Sequence, residues 1–329
     1  MSAVIEPRLP DYAPPATART AWTINDGKIG DAVQCRAIAG ALGFTTQHRV
    51  VSPRAPWVWF SPWGPVDPKD DPRNQGSVIA PPYPDLVIAS GRRAAPYARA
   101  VKSLSGGRTR IVMLKDPRVG RKAFDLIWAP DHDELSGPNI FSTLTAPHGL
   151  GPELVRLRDA ADSAIKDLSR PFLAVLLGGV AAGVAFDISF ARRLATKIDK
   201  LGGDYASVVV APSRRTPDAI TTFFETYAFE SPVRVARADD IPYIDLLAYA
   251  DCLIVTGDSH NIVSEAVSTG ACVYTVRPPG LRDKMHAFID GLEVLGAVRP
   301  LEDTAEIYQS NLIDSTDDIA AEILKRFFD

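Results

Sequence analysis

The chain has 329 residues, of which 46% are apolar and 23% are charged, and its formal net charge is −4. This length suits two domains, and the acidic balance argues against a broad nucleic-acid-binding surface. No apolar run approaches the roughly 18 residues that span a bilayer, and residues 1–19 lack an apolar signal-peptide core. We therefore expect a cytoplasmic protein with a flexible N-terminal lead-in, for which peripheral contact with the inner face of a membrane is left open.

The first half of the chain alternates short apolar runs with helical patterns, which is typical of parallel sheets with crossover helices. Strands are predicted at residues 21–24, 47–51, 85–89, 110–114 and 125–129, and helices at 31–42 and 94–104. These elements define an N-terminal α/β domain at residues 20–150. A polar segment at 151–170 follows and is expected to be a linker helix.

The second half repeats this alternation between residues 171 and 315. Strands are predicted at 172–177, 206–211, 233–236, 252–255 and 272–276, and helices at 187–201, 217–229, 243–250 and 259–269. The last helix, in residues 316–329, is a candidate to pack back on the N-terminal domain. The sequence thus predicts two Rossmann-like, doubly wound parallel-sheet domains that face a cleft. In such sheets ligands bind outside the carboxyl ends of the strands.

Three cysteines, Cys35, Cys252 and Cys272, lie far apart in the sequence, and the last two begin apolar runs. We expect them to be small core residues in a reducing compartment, neither disulfide-bonded nor bound to zinc. No pair of histidines has the spacing of a metal site, so no metal is predicted.

The most informative segment follows the apolar run at residues 252–255. A turn of Gly257, Asp258 and Ser259 leads into a helical pattern that contains His260, Asn261 and, about two turns on, Glu265. Free N–H groups at a helix start favour a phosphate, and the carboxylate of Glu265 can reach the hydroxyls of a ribose. The alternative is that Asp258 or Ser259 is an ordinary N-cap and the helix binds nothing.

Two further strand ends in the second half carry candidate phosphate ligands. Gly178 and Gly179 permit close backbone approach to a ligand, or simply form a tight turn. Ser213, Arg214 and Arg215 stand between a strand and a helix that Thr216 is expected to cap. Only one arginine can easily point into the cleft, so the other is left to pair with an acid or to face water.

Strand ends in the first half carry a second group of candidates. After the first strand come Lys28, Gly30 and Asp31, where Asp31 is either a general base or the N-cap of the next helix, and Lys28 stabilises phosphate. Arg92 and Lys115 follow two strands of one sheet and suit an anionic acceptor or a donor phosphate, unless they are scattered surface charges.

Two other features remain open. His132, between Asp131 and Asp133, is interpreted as a hydrogen-bonding residue of the cleft or a second candidate base. Residues 53–63 hold three of the five tryptophans and form either a docking loop for a lipid-linked acceptor or membrane, or a packed surface loop.

Several of these segments, in this order along residues 22–300, resemble the mitochondrial-fission ELM-type (elongated mitochondria) family and its bacterial relatives. The matching pieces are Lys28-Ile29-Gly30-Asp31 with Gln34, residues 84–93, Lys115-Asp116-Pro117-Arg118, residues 124–133, Ser213-Arg214-Arg215-Thr216-Pro217 and residues 256–266. The resemblance implies a glycosyltransferase-B-like fold and, by analogy, a nucleotide-sugar donor, although the plant members are better known as fission factors than as enzymes.

We therefore predict a glycosyltransferase that binds no permanent cofactor and takes a nucleotide-sugar, with UDP the expected nucleotide. The second domain holds the donor and the first presents an unidentified acceptor, lipid- or envelope-linked in one version of the hypothesis. A non-catalytic adaptor that keeps the fold is the alternative, and a nucleotide-sugar epimerase is a further one.

Overall fold

The computed structural model describes residues 19–159, 165, 168–181, 183–201, 204–228, 233–236, 241–302 and 305–329. The predicted lead-in at 1–19 therefore lies outside the described residues except for Arg19, as does much of the linker after residue 159. A six-stranded parallel sheet fills the first half, in the order β2-β1-β3-β4-β5-β6. Its strands are β1 (Thr20–Asn25), β2 (Thr45–Val50), β3 (Leu86–Ser90), β4 (Arg110–Leu114), β5 (Leu126–Pro130) and β6 (Ile140–Thr143).

A second six-stranded parallel sheet fills the other half, in the order β12-β11-β10-β7-β8-β9. Its strands are β7 (Phe172–Leu177), β8 (Ser207–Pro212), β9 (Val233–Val235), β10 (Cys252–Thr256), β11 (Cys272–Val276) and β12 (Arg299–Pro300). The described helices are α1 (Ile29–Leu42), α2 (Ala94–Leu104), α3 (Gly151–Asp159), α4 (Ile188–Leu201), α5 (Asp218–Tyr227), α6 (Tyr243–Tyr249), α7 (His260–Val267), α8 (Asp283–Val294) and α9 (Thr316–Phe327).

Helices cover both faces of each sheet, because successive side chains of a strand point to opposite faces. In β3, Leu86 and Ile88 pack with residues of α1 and α9, whereas Val87 and Ala89 pack with α2. The second sheet is covered in the same way, by α4 and α5 on one face and by α6, α7 and α8 on the other. Burial on both faces explains why the strands read as continuous apolar runs, and the doubly wound α/β fold is confirmed.

The final helix leaves the second half of the chain and packs on the first. Ile319 and Ile323 of α9 are fully buried in the same cluster as Cys35 and Ile38 of α1. Burying an isoleucine side chain contributes about 1.5–3 kcal/mol, so this contact holds α9 on the first sheet. No helix in the described ranges is both long enough and apolar enough to cross a bilayer.

Three elements were not among those expected: β6, β12 and α8. The buried residues Met285, Phe288, Ile289 and Leu292 of α8 do recur at helical spacing. The run Pro278-Pro279-Gly280 before it, and Gly291 within it, weaken the local helix signal.

The expectation of separate cysteines is wrong for two of the three. Cys252 and Cys272 are directly opposite each other on the paired strands β10 and β11, with a Cα–Cα distance of 4.6 Å, and they form a disulfide. This distance lies within the range that a disulfide requires. Cys35 is a buried free thiol. The register between the strands, which the sequence does not reveal, brings the two residues together.

Candidate functional site

The carboxyl edges of the two sheets meet through the starts of α1 and α7. Gln34 Nε2 donates a hydrogen bond to Asn261 Oδ1 at 3.2 Å. A Cβ on Gly30 would lie 3.1 Å from Asn261 Nδ2, so the predicted phosphate-side glycine makes room for Asn261 in this structure. Lys284 of α8 also reaches across, to Asp133 Oδ1 at 2.8 Å. The loops at both carboxyl edges therefore surround one region between the domains.

On the N-terminal side, the loops after β1, β3, β4 and β5 enclose a cavity of about 780 Å³, which we call the N-terminal cleft. Most of its lining side chains are charged. They include Asp26, Lys28, Asp31, Arg92, Arg93, Lys115, Asp116, Arg118 and Asp133. Lys28, Asp31, Arg92 and Lys115, which come from three separate sequence motifs, are thus brought together as the sequence suggests.

Asp31 lies in the first turn of α1 and is not its N-cap, which is Lys28. Its Oδ1 accepts hydrogen bonds from Lys115 Nζ at 2.7 Å and from Ser90 Oγ at 2.9 Å. Burial by itself raises the pKa of Asp31. The charge of Lys115 and the hydrogen bonds from Lys115 and Ser90 lower the pKa by a larger amount, so the net shift is downward. Asp31 is consequently a stable carboxylate and a weak base.

Lys115 and Arg118 both have a left-handed backbone, with φ angles of 69° and 54°. This conformation costs a non-glycine residue roughly 1–2 kcal/mol, and such residues concentrate at binding sites. Two contacts of Asp116 hold the loop, one from the Arg118 N–H at 2.9 Å and one from Arg121 at 3.2 Å. The strained loop places both cations on the wall of the N-terminal cleft.

Asp26 also lines the N-terminal cleft, and it was not among the predicted site residues. Its side chain is 3% exposed, and Oδ2 lies 3.3 Å from Lys28 Nζ. Oδ1 is buried and has no hydrogen-bond partner in the described part of the chain. Gly91, with φ at 95°, passes so close that a Cβ there would lie 3.2 Å from Oδ1. The position of Asp26 directly after β1 is the sequence signal that could have revealed it.

On the C-terminal side, the ends of β7 and β10 are tied together by Asp258. Its Oδ2 accepts a hydrogen bond from the Gly179 N–H at 2.9 Å and lies 3.5 Å from Arg215. Burial raises the pKa of Asp258 and outweighs the opposing effects of its hydrogen bonds and of Arg215. The Gly179 N–H is therefore already hydrogen-bonded within the protein.

Neighbouring protein atoms leave no space for a side chain at the two glycines after β7. A Cβ on Gly178 would lie 2.1 Å from Asp258 Oδ2, and a Cβ on Gly179 would lie 1.9 Å from the carbonyl oxygen of Arg215. The Gly178 N–H donates a hydrogen bond to Thr256 Oγ1 at 2.7 Å. In this structure the tight-turn interpretation accounts for both glycines without a ligand.

The two arginines of the loop after β8 have different surroundings, as the sequence suggested. Arg215 pairs with Asp258, whereas the Arg214 side chain is exposed and has no partner among the described residues. Ser213 Oγ donates to the Gly178 carbonyl at 2.7 Å. The expectation that Thr216 caps the next helix is wrong, because α5 has Pro217 as N-cap and the Thr216 hydroxyl bonds to the Gly178 carbonyl.

At the start of α7, Ser259 is the N-cap and its side chain accepts from the Ile262 N–H. Gly257 packs closely on α8, because a Cβ there would lie 2.5 Å from Ile289 Cδ1, which would have to shift. His260 Nε2 lies 3.1 Å from the carbonyl oxygen of Leu144, across the domain boundary. Burial lowers the pKa of His260 to about 3, so its ring is neutral and packs between the domains.

His132 packs against His260 with 4.6 Å between ring centroids, and Phe288 completes this aromatic group. The His132 side chain is 5% exposed, and burial is the main cause of its lowered pKa. Its Nδ1 is buried and finds no partner within the described ranges. His132 is thus a neutral ring with little access to the cleft in this structure.

Glu265 is half-buried on α7, and its Oε2 accepts a hydrogen bond from the Tyr243 hydroxyl at 2.7 Å. Burial raises its pKa to about 7, although the Tyr243 bond opposes this shift. Its other oxygen, Oε1, has no partner in the part of the chain that the structure describes. Glu265 therefore retains one acceptor atom for a ligand hydroxyl.

Known structures share this arrangement. The UDP-GlcNAc 2-epimerase of Neisseria meningitidis, solved with UDP-GlcNAc bound, superposes with a TM-score of 0.53 at 12% identity and covers 93% of this chain and 100% of its own. The predicted fold class of two facing doubly wound domains, glycosyltransferase-B-like, is confirmed. At this identity the likeness concerns the fold alone.

Proteins of similar sequence show which family this chain belongs to. Mitochondrial fission protein ELM1 of Arabidopsis thaliana is 26% identical over 272 residues, which are 73% of this chain and 63% of that protein, so the chain spans less than two thirds of it. Protein RP120 of Rickettsia prowazekii is 24% identical and covers 82% of this chain and 87% of its own length. The model of the family described as mitochondrial fission ELM1 matches residues 29–327. The chain belongs to the mitochondrial fission ELM1 family.

Proposed function

We propose that this chain binds a nucleotide-sugar between its two domains and transfers the sugar to an acceptor held on the N-terminal side. The observation that carries the proposal is the contact between Gln34 and Asn261, which joins the carboxyl edges of the two sheets. Ligands of doubly wound sheets bind at this edge, so donor and acceptor ligands would meet in the same region.

The donor would lie on the C-terminal domain, with UDP the expected nucleotide. Glu265 Oε1 would accept a ribose hydroxyl, and the exposed guanidinium of Arg214 would bind the diphosphate at the start of α7. Arg215 and Asp258 already neutralise each other, so they would support the loop more than they would bind phosphate. Ser259, His260 and Asn261 would complete the wall of the site.

The transfer needs a base that takes the proton of the acceptor hydroxyl. Asp31 is held as a weak base by Lys115 at 2.7 Å, and His132 is not among the residues that line the N-terminal cleft. Asp26 is the better candidate, because it lines the cleft, its contact with Lys28 is longer, at 3.3 Å, and its Oδ1 has no hydrogen bond in the described chain. As the sugar leaves the donor, Arg214 and the dipole of α7 would stabilise the charge that develops on the nucleoside diphosphate.

Two other functions each have one observation in their favour. A nucleotide-sugar epimerase is supported by the UDP-GlcNAc-bound epimerase of the same fold. A non-catalytic adaptor is supported by the internal pairing of Asp258, Asp31 and Glu265, which occupies groups that a substrate would use.

A thermal-shift panel with UDP, GDP, ADP, CMP and dTDP, each with and without an attached sugar, tests the proposal. A ligand that binds only the folded state raises the melting temperature by mass action. One nucleotide should stabilise the wild type, and Glu265→Ala should lose that stabilisation while a distant control, Arg192→Gln, keeps it. The stabilising sugar nucleotide is then incubated with the protein and followed by NMR. Release of the free nucleotide supports transfer or hydrolysis, inversion at a sugar carbon supports the epimerase, and no shift at millimolar concentration supports the adaptor.

A further inference from the structure

We infer that the N-terminal cleft binds a phosphoryl group, so that the acceptor is a phosphorylated molecule; the assignment to the acceptor rests on the proposed function, whereas the anion site itself does not. The binding group comprises the guanidinium groups of Arg92, Arg93 and Arg118, which line the cleft together with Lys115.

The charges of the cleft leave these three arginines uncompensated. Every carboxylate on the wall has a cation already: Lys28 for Asp26, Lys115 for Asp31, Arg121 for Asp116 and Lys284 for Asp133. Arg92, Arg93 and Arg118 are exposed, and none has a carboxylate partner among the described residues. In a protein whose formal net charge is −4, one cleft thus carries a local excess of positive charge.

The backbone beside the arginines has left-handed φ angles at Gly91 and Arg118. Arg118 adopts a left-handed φ of 54° in a loop that Asp116 holds from two sides. Arg92 and Arg93 follow Gly91, whose left-handed φ of 95° allows the chain to pass against the buried Asp26. Both loops follow central strands, β3 and β4, which are neighbours in the sheet. Scattered surface arginines would need neither the strained backbone nor the shared cavity.

The chemistry and the location define the ligand. Several forked guanidinium donors around one cavity match the oxygens of a doubly charged phosphate or diphosphate better than a single carboxylate. The volume of about 780 Å³ is within the range of small-molecule sites. All of the lining residues lie between Asp26 and Asp133, so the cleft belongs to the N-terminal side, opposite Glu265 and Arg214. The shared chemistry is a phosphoryl group, on a soluble molecule or on a lipid.

Calorimetric titration of the full chain with inorganic pyrophosphate, alone and in the presence of saturating UDP, tests the inference. Arg118→Gln and the double variant Arg92→Gln/Arg93→Gln should each weaken pyrophosphate binding about tenfold or more. Arg192→Gln, which removes an exposed arginine of α4, should leave it unchanged. Because all four positions are exposed, the variants should keep the wild-type melting temperature.

The outcomes separate the two proposals. Pyrophosphate binding that persists under saturating UDP and depends on the cleft arginines supports a separate acceptor site. Equal binding by wild type and cleft variants overturns the inference while leaving the donor proposal standing. Displacement by UDP of pyrophosphate that binds through the cleft arginines overturns the assignment to an acceptor and contradicts the placement of the donor on the C-terminal side. If UDP does not bind but pyrophosphate binds through the arginines, the donor proposal fails and the anion site stands. Binding of glucose 1-phosphate, compared with vesicles that contain a polyprenyl phosphate, then identifies a soluble or a lipid source.

Discussion

Glu265 gives the chain a specific dependence of stability on pH, which Glu265→Gln should remove. Burial raises the pKa of Glu265 to about 7 from an ordinary value of 4.5. Between these two values the folded state binds a proton that the unfolded state has released, so the stability of the wild type falls as pH rises. The difference corresponds to about 3 kcal/mol at pH 8, which is an upper limit for a half-buried group.

Glutamine reproduces the neutral form of this side chain and can still accept the hydrogen bond from Tyr243. Glu265→Gln should therefore equal the wild type near pH 4 and become more stable than it by up to about 3 kcal/mol at pH 8. Urea unfolding at half-unit pH intervals measures this, with the exposed Glu302→Gln as the control that should follow the wild type. Parallel curves for Glu265→Gln and wild type would refute the argument, because they would place the pKa of Glu265 at its ordinary value.

Three further predictions concern stability and turnover. Gly179→Ala should lower the free energy of unfolding by about 1–3 kcal/mol in urea titrations, because the new Cβ would overlap the Arg215 carbonyl; an unchanged midpoint would contradict this. Lys115→Met should cost about 1–3 kcal/mol at pH 7 by leaving Asp31 buried without its cation. This cost should shrink as pH falls, because Asp31 without Lys115 takes up its proton at a higher pH than in the wild type, where Lys115 lowers its pKa; a cost that is constant from pH 7 to 3 would contradict it. Asp26→Asn should abolish release of the nucleoside diphosphate in the presence of acceptor but keep donor binding, and normal turnover would exclude Asp26 as the base.

The fold could be predicted in most of its detail because both sheets are buried on two faces. Continuous apolar runs such as Phe172–Leu177 are typical of strands buried on both faces, and helices such as α4 between them have a clear apolar face. Two of the elements that were missed are short or have a weakened signal. Strand β12 has two residues, and α8 follows a Pro-Pro-Gly run.

The candidate site could be predicted as a set of loops but not as a set of contacts. Strand ends identified Lys28, Asp31, Arg92 and Lys115, and the structure brings these four side chains to one cavity. Their pairing depends on strand order and loop conformation, which local sequence does not encode. The same limit applies to the disulfide, which depends on register between β10 and β11.

Glycine positions show why a motif can be located correctly and still be misinterpreted. Gly178 and Gly179 do stand where backbone approaches closely, as the sequence suggested, but the approaching groups are Asp258 and the Arg215 carbonyl. A sequence indicates that space is needed beside a glycine without indicating what fills it. The place of Asp26 directly after β1 can be read from the sequence, but the sequence does not show that its Oδ1 has no hydrogen-bond donor in the described chain.

A crystal structure of the chain with UDP at millimolar concentration tests the central claim most directly. The account predicts uridine on the C-terminal side, with a ribose hydroxyl within hydrogen-bond distance of Glu265 Oε1 and the diphosphate between Arg214 and the start of α7. A nucleotide bound elsewhere, or the Glu265–Tyr243 pair and an empty cleft at that concentration, would contradict it.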